Sequence, residues 1–162
     1  MNRMKKILFV CMGNICRSAA AEAVMKSFLE KRGEADGFFV DSAGIIDYHT
    51  GERADARMRS AAAARGYNVD SIARQVRRED FEKFDIIVAM DNSNVAALKR
   101  VAADAGQMAK IHKLTEFLSQ EKRIKYKMDE VPDPYYGGPK GFELVLDMLE
   151  EAMPGIIGHL KG

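Results

Sequence analysis

Residues 5–18 read KKILFVCMGNICRS, and residues 19–31 continue as AAAEAVMKSFLEK. The apolar run ILFV, preceded by charge, predicts a short buried strand. Glu22 and Lys26 form an i,i+4 pair on the predicted solvent face of a following helix, and Gly33 is predicted to end that helix. The opposite helix face is apolar and consists of Ala21, Val24, Met25, Phe28 and Leu29. The stretch therefore predicts strand, turn and helix.

Strand-like and helix-like segments alternate along the next part of the chain. They are FFVDSAG at 38–44 (strand), 56–65 (helix, ended by Gly66), FDIIVAMD at 84–91 (strand), a helix capped by Asp91 or Asn92 and running to about Ala105, and AKIHKL at 109–114 (short strand). This alternation indicates right-handed βαβ units and a parallel sheet. We therefore predict an α/β fold with one domain at 1–162, built on a small doubly wound sheet of about four parallel strands flanked by helices.

The last part of the chain predicts a long connection and a final helix. Residues 119–141 are polar and contain VPDPYYGGPKG, and a loop of this length in a compact domain is usually functional or disordered. The helix is predicted to start near Pro139, and Pro154-Gly155 is expected to kink or break it. Its apolar face consists of Phe142, Val145, Leu146, Leu149 and Met153.

Charge and composition exclude several classes of protein. The 162 residues include 25 basic and 24 acidic side chains, so nothing in the net charge favours nucleic acid or a membrane surface. The apolar run after MNRMKK is too short for a signal peptide, and no stretch approaches the roughly 20 apolar residues of a membrane span. We predict a cytoplasmic protein without membrane insertion, with non-classical export left open, whose two cysteines are kept mostly reduced.

Both cysteines fall in the turn at 11–18, where a strand carboxyl end meets a helix N-terminus. Ligands bind at such places in doubly wound sheets, because loop N–H groups converge there and the helix dipole adds positive potential. Gly13 and Asn14 tolerate the left-handed backbone that such a loop needs. Cys11 would be a thiolate there, hence a nucleophile, and the fork of Arg17 can grip two phosphate oxygens.

Each of these residues also has an ordinary structural explanation. A cysteine at the end of a strand is most often part of the core, and Ser18 either donates to the thiolate or caps the helix. An arginine in a first helical turn is usually a solvated surface charge, although Arg17 opposes the helix dipole. The combination of all these residues in one turn favours an anion site with a nucleophilic cysteine.

The segment CMGNICRS resembles the signature of the low-molecular-weight protein tyrosine phosphatases. Further segments resemble that family in the same order: VDSAG (40–44), ARQV (73–76), FDIIVAMDNSN (84–94) and DPYYG (133–137). The resemblance implies a flavodoxin-like sheet and metal-free hydrolysis of phosphotyrosine through a cysteinyl-phosphate, without a cofactor. Three scattered histidines and the absence of a CxxC motif agree with a reaction that needs no metal.

The resemblance also assigns roles to residues. Cys11 would be the nucleophile, Arg17 would bind phosphate and the transition state, and Asp133 would act first as general acid and then as base. The rest of the phosphate-binding loop would be Met12, Gly13, Asn14, Ile15, Cys16 and Ser18. The substrate walls would be Tyr48, Tyr135, His49 and Tyr136, and the loop supports Ser42 and Asp91. An Asp before a Pro is otherwise a common turn former, and a loop tyrosine an ordinary surface residue.

Two positions depart from the family pattern. Ala19 replaces the usual proline after Arg-Ser, which should do little harm because Ala is a good helix former. Ser71 or Ile72 stands where the family often has a histidine bonded toward the loop asparagine, so the brace of Asn14 is expected to differ. Cys16 is either a small buried residue or, as in the family, a redox partner of Cys11.

The expected partner is a phosphotyrosine-containing protein or peptide, bound by a monomer or weak dimer. An arginine phosphatase on the same fold is one alternative, but such relatives have Thr at the position of Ile15. Arsenate reduction would need a cysteine relay beyond the two cysteines present. A phosphotyrosine-binding module without activity should have lost Cys11, Arg17 or Asp133. A redox switch using Cys11 and Cys16 alone would not need Asp133 or the tyrosine walls.

Overall fold

The structure is a computed structural model that describes residues 3–135 and 138–162. Its strands are β1 (Lys5–Cys11), β2 (Phe38–Gly44), β3 (Ile86–Ala89) and β4 (Ile111–Lys113). Its helices are α1 (Arg17–Lys31), α2 (Ala56–Ala63), α3 (Asp80–Lys83), α4 (Asn92–Val101), α5 (Ala105–Met108), α6 (Gln120–Tyr126) and α7 (Pro139–Lys161), with 3-10 turns at Ala35–Gly37 and Leu114–Phe117. The α/β class and the four predicted strands are confirmed.

The four strands form one parallel sheet in the order β2-β1-β3-β4. Cys11 at the end of β1 pairs with Gly44 of β2, and Val10 pairs with Ala89 of β3. Because β2 and β3 lie on opposite sides of β1, the direction of winding changes there, and a crevice opens at the carboxyl ends of β1 and β3. The loop after β1 lies at this switch point.

The buried side chains of β1 alternate between two cores. Ile7, Phe9 and Cys11 pack in a cluster with apolar residues of α1, α2 and α7. Leu8 and Val10 pack in a second cluster with residues of α3 and α4. Helices therefore cover both faces of the sheet, as the continuous apolar run ILFV predicts for a central parallel strand.

The residues at the end of α1 and at the start of α4 match two predictions from the sequence. Gly33 adopts φ 69° after α1, as predicted for a left-handed stop. Asp91 caps α4, since its carboxylate accepts from the Asn94 N–H at 2.8 Å. The prediction that this helix reaches Ala105 was wrong. It ends at Val101, and Asp104 caps the separate short helix α5 through the Gln107 N–H at 2.8 Å.

The sequence predicts a long loop at 119–141, but the structure places the helix α6 within it. Ser119 caps this helix by accepting from the Lys122 N–H at 3.3 Å. The hydroxyl of Tyr126 at its other end donates to the Glu151 carboxylate of α7. A short polar helix has little apolar periodicity of its own, so its local cap and the tertiary contact with α7, which periodicity does not report, hold it in place.

The predicted kink or break at Pro154-Gly155 was also wrong, since α7 runs without interruption from Pro139 to Lys161. Pro154 removes one helical hydrogen bond. The loss is offset because Met153, Ile156 and Ile157 are fully buried around it. No helix in the parts of the chain that the structure describes is both long and apolar enough to span a bilayer.

Gly155 allows α7 to approach the Leu114–Phe117 turn closely. A Cβ at this position would lie 2.3 Å from the Phe117 carbonyl oxygen. We expect Gly155→Ala to lower the free energy of unfolding by about 1–3 kcal/mol, because forcing the backbones apart outweighs the gain in helix propensity. Urea denaturation measures the change.

Gly158→Ala is the matched control for that substitution. It lies one turn later in α7, and a Cβ there would meet no atom within 4 Å. Propensity alone then acts, and stability should rise by about 0.5–1 kcal/mol. A Gly155→Ala protein as stable as Gly158→Ala would show that the contact with Phe117 relaxes at no cost.

Candidate active site

The Cys11 loop (residues 11–18) connects the end of β1 to the first turn of α1. Asn14 adopts the left-handed conformation that the sequence predicted, with φ 60°. Gly13 does not have a positive φ, so its role differs from the predicted one. A Cβ there would lie 2.9 Å from Cδ2 of His49. The glycine lets the imidazole pack directly against the loop backbone.

The thiol of Cys11 is buried at the base of this loop, 3.0 Å from the Ser18 hydroxyl. The side-chain amide of Asn14 donates to that same hydroxyl oxygen at 2.8 Å. Ser18 therefore keeps its own hydrogen for the sulfur, or for the more distant Ala43 carbonyl at 3.4 Å. A hydroxyl at this distance can donate a hydrogen bond to the sulfur of Cys11.

Arg17 is the first residue of α1, and its side chain is only 3% exposed. Nη1 donates to the Asp91 carboxylate at 2.7 Å and to the Val131 carbonyl at 3.1 Å, and Nη2 lies 3.6 Å from Oδ2 of Asp133. Burial alone would lower the pKa of Arg17, but Cys11, Asp91 and Asp133 together raise it. The guanidinium is therefore a fixed positive charge beside the thiol.

Asp133 lies on the Asp133 loop (residues 131–135), with its side chain 44% exposed. The loop is anchored to the end of β3, since the Val131 N–H donates to the Met90 carbonyl at 2.8 Å. The Tyr135 N–H donates to Oδ1 of Asp133 at 2.9 Å. This bond directs the carboxyl group, whose other oxygen faces Arg17.

These groups meet in a cleft of about 330 Å³. It is lined by Cys11, Met12, Gly13, Ile15, Cys16, Arg17, Ile46, Tyr48, His49, Asp133 and Tyr135. All but Ile46 were candidate site residues from the sequence. Asn14 and Ser18 are buried and bonded to each other within the loop, and Tyr136 lies outside the described residues.

The rings at the mouth of the cleft are centred on His49. Its ring lies 4.8 Å from that of Tyr48, edge on, and 6.5 Å from that of Tyr135. Tyr48 is 78% exposed, so it forms an outer rim rather than a buried wall. Sequence reasoning missed Ile46, which adds an apolar surface and whose N–H donates to the Met12 carbonyl at 3.0 Å. Its position two residues before Tyr48 was the available signal.

The supports of the loop match the predicted ones only in part. The side-chain oxygen of Asn14 accepts from the Arg74 backbone N–H at 3.1 Å. Ile72 is exposed, and the buried hydroxyl of Ser71 has no hydrogen-bond partner among the described residues. The backbone N–H of Arg74 thus braces Asn14, rather than a side chain at position 71 or 72. Asp91 acts as a support by holding Arg17.

Ser42 does not brace the loop directly. Its hydroxyl donates to the Glu22 carboxylate at 2.6 Å, and Glu22 also pairs with Lys26 at 2.7 Å. Glu22 is only 6% exposed, so its predicted place on the solvent face of α1 was wrong. The reason is that Ser42, like Val40, faces α1 from β2, and it offers a buried partner to a residue that the local pattern marks as exposed.

The two cysteines have different surroundings although both are free and buried. Burial, with Asp55 and Cys11 nearby, raises the pKa of Cys16 far above the ordinary value for a thiol. Cys16 is therefore a neutral thiol, and its pairing with Cys11 stays a prediction. Within residues 3–135 and 138–162, no three His, Cys, Asp or Glu side chains are grouped so as to hold a metal ion.

The match to known proteins extends over nearly the whole chain. The family model of low molecular weight phosphotyrosine protein phosphatase covers residues 6–162. The chain belongs to this family. A putative low molecular weight protein-tyrosine-phosphatase of Synechocystis sp. is 44% identical to it over 156 residues, which are 96% of each chain. The chain described here is accordingly a hydrolase of phosphomonoesters that acts on phosphoproteins.

Solved structures support the same placement. The crystal structure of a protein tyrosine phosphatase from Entamoeba histolytica is 47% identical, with a TM-score of 0.90 and 97% of both chains covered. The crystal structure of a Drosophila arginine phosphatase is 32% identical, with a TM-score of 0.86 over 97% of this chain and 98% of that one. The fold alone therefore does not distinguish the two phosphorylated side chains.

Proposed function

We propose that the protein hydrolyses phosphotyrosine in two steps at the Cys11 loop. The sulfur of Cys11 forms a bond to phosphorus while the bond to the tyrosine oxygen breaks, and Asp133 gives its proton to that oxygen. A water molecule then attacks phosphorus, Asp133 takes one of its protons, and the S–P bond breaks to release phosphate and the thiolate. The observation that carries this proposal is that Cys11, Arg17 and Asp133 line one cleft.

Arg17 and the loop N–H groups stabilise the transferring phosphoryl group. Its three non-bridging oxygens carry the charge that the transition state spreads, and fixed donors in a water-poor site are most effective there. Arg17 is held at Nη1 by Asp91 and Val131, which leaves Nη2, on the side of Asp133, to bind the substrate. The residues themselves thus supply nucleophile, acid and charge stabilisation, and no metal is assigned a role.

The lining of the cleft favours an aromatic substrate over phosphoarginine. Ile15 and Ile46 are apolar, and the rings of His49 and Tyr135 flank the entrance. A phenyl ring buries apolar area against such groups, whereas a phosphoguanidinium would lose hydration without a polar partner from Ile15. Rates on the two kinds of substrate distinguish the phosphotyrosine-containing partner from the arginine alternative.

The chemistry also supports the predicted cytoplasmic location. The first step needs a reduced Cys11, and the cytoplasm keeps thiols reduced. A disulfide with Cys16 would block that step reversibly, which makes the enzyme redox-sensitive in this proposal.

The test of the substrate is a comparison of initial rates on a phosphotyrosine peptide and on phosphoarginine, with EDTA present. We expect phosphate release from the peptide with kcat/KM at least about 100-fold higher, because the apolar wall discriminates by a few kcal/mol. Faster release from phosphoarginine would overturn the substrate while leaving Cys11 in its role. Loss of all turnover in EDTA would contradict a mechanism without a metal.

The role of Asp133 has its own prediction. Asp133→Asn keeps the shape of the side chain but cannot deliver a proton, so kcat/KM on a phenyl phosphate should fall by about 10²–10³-fold. A substrate with a strongly acidic leaving phenol needs little protonation and should be affected far less. Steady-state rates on both substrates measure the difference. Unchanged turnover of the phenyl phosphate would remove Asp133 from the mechanism.

A further inference from the structure

Arg57, in the first turn of α2, has no role in the mechanism above, yet it makes four contacts beside the cleft. Its Nε and Nη2 donate to the Asp55 carboxylate at 3.1 and 2.9 Å, in a two-point pair. Its guanidinium carbon lies 5.3 Å from the centre of the Tyr135 ring and 5.0 Å from that of Phe142. A side chain that is 48% exposed is thus held between two rings and a carboxylate.

The partners of Arg57 lead to both halves of the active site. On one side, the Asp55 N–H donates to the Ile15 carbonyl of the Cys11 loop at 2.8 Å. On the other side, the N–H of Tyr135 donates to Oδ1 of Asp133 at 2.9 Å. Arg57 is therefore the contact between a segment bonded to the nucleophile's loop and a residue bonded to the acid.

The geometry suits an arginine in particular. A planar guanidinium satisfies a carboxylate with its N–H groups and still presents its faces to aromatic rings. The carboxylate of Asp55 is fixed in turn, because it also accepts from the Arg57 backbone N–H at 2.8 Å as the cap of α2. The carboxylate that binds the guanidinium is thereby itself fixed at the N-terminus of α2.

We propose that Arg57 is a positioning residue, which holds the Tyr135 ring against α2 and thereby aims the Asp133 carboxyl at the leaving oxygen. The inference rests on the proposed function, in which Asp133 is the general acid. Arg57 does not touch the substrate in this account. It limits the positions that the Asp133 loop can adopt relative to the Cys11 loop.

A residue that aims the acid has a kinetic signature that a merely structural residue lacks. Protonation matters most when the leaving phenol is weakly acidic, so loosening Asp133 should slow those substrates selectively. The appropriate quantity is kcat/KM, because it covers the steps up to cleavage of the ester bond. The experiment measures kcat/KM for aryl phosphates whose phenols range from weakly to strongly acidic.

We expect Arg57→Gln to lower kcat/KM by about tenfold for the least acidic phenols and by less than about twofold for the most acidic. Asp133→Asn should give the same dependence more steeply. Arg57→Lys keeps a cation for the rings but not the two-point pair with Asp55, so it should recover part of the loss. In a Tyr135→Leu background, Arg57→Gln should have no further selective effect.

Arg53→Gln is the control for removal of a positive charge, because Arg53 is an exposed arginine four positions earlier in the chain. It should leave the dependence on the leaving group unchanged. Thermal denaturation of each variant separates local loosening from loss of the fold.

An equal loss for all phenols in Arg57→Gln, or no loss in any, would overturn the positioning role. If instead the wild type fails to hydrolyse aryl phosphates, or Asp133→Asn shows no dependence on the phenol, the proposed function itself has failed. The two failures are therefore distinguishable. A selective loss that persists in the Tyr135→Leu background would also contradict the proposal, since Tyr135 is the link to Asp133.

Discussion

Cys11→Ser is expected to abolish turnover of phosphotyrosine, with a fall in kcat of about 10⁴–10⁶-fold. The substitution exchanges sulfur for oxygen in a buried position whose neighbour is the Ser18 hydroxyl at 3.0 Å. A hydroxyl there stays protonated near neutral pH, and the Ser18 hydroxyl beside it is not a base that could activate it. The fold should persist, because the two side chains differ little in volume. Steady-state phosphate release measures the loss.

Two further measurements show that the loss is chemical. Inorganic phosphate should still bind to Cys11→Ser, since Arg17 and the loop N–H groups remain, and calorimetry detects this binding. Iodoacetate should label the wild type at Cys11 but leave Cys11→Ser unlabelled, because burial keeps Cys16 a neutral thiol. Residual turnover within about tenfold of the wild type would show that another group is the nucleophile.

Most of the sheet could be predicted because its signal is local. The run ILFV is buried on both faces, and such runs identify central parallel strands without tertiary information. The turn at 11–18 could be predicted in the same way, since residue types with special backbone and charge properties are concentrated there. Asp133 could not, because an Asp before Pro is usually a turn former, and only its resemblance to the family marked it.

The errors share a physical cause, which is that the deciding partner is distant in sequence. Glu22 reads as a solvent-facing residue until Ser42 is placed opposite it across 20 positions. The helix α6 depends on Tyr126 reaching Glu151 of α7. Gly13 reads as a left-handed position, whereas its function is to accommodate the ring of His49. Periodicity contains none of these contacts, because each is set by how elements pack.

The same limit explains why Arg57 was missed. An arginine after an aspartate in a helical turn is typical of an exposed pair of small energetic value. Its contacts with Tyr135 and Phe142 arise only when the Asp133 loop and the start of α7 close over α2. Functional residues that act through others are therefore the least visible to sequence patterns.

Arg17→Lys should lower kcat/KM on phosphotyrosine by about 10³-fold or more, although it retains a positive charge. The fork of Arg17 binds Asp91 and Val131 through one nitrogen and leaves the other on the side of Asp133. A lysine has one nitrogen for both tasks. If it pairs with Asp91, it no longer reaches the phosphoryl oxygens, and if it binds them, it leaves the partly buried Asp91 without its partner.

Arg74→Lys is the control that separates this effect from loss of stability. Arg74 also joins two carboxylates, with Nη2 3.0 Å from Asp41 and Nη1 3.0 Å from Asp80, but its side chain does not line the cleft. Its backbone N–H still braces Asn14 after the substitution. Both variants should shift the urea midpoint by similar amounts, whereas only Arg17→Lys should lose activity by orders of magnitude. Similar activity in the two variants would mean that Arg17 holds Asp91 for stability and does not bind the phosphoryl group.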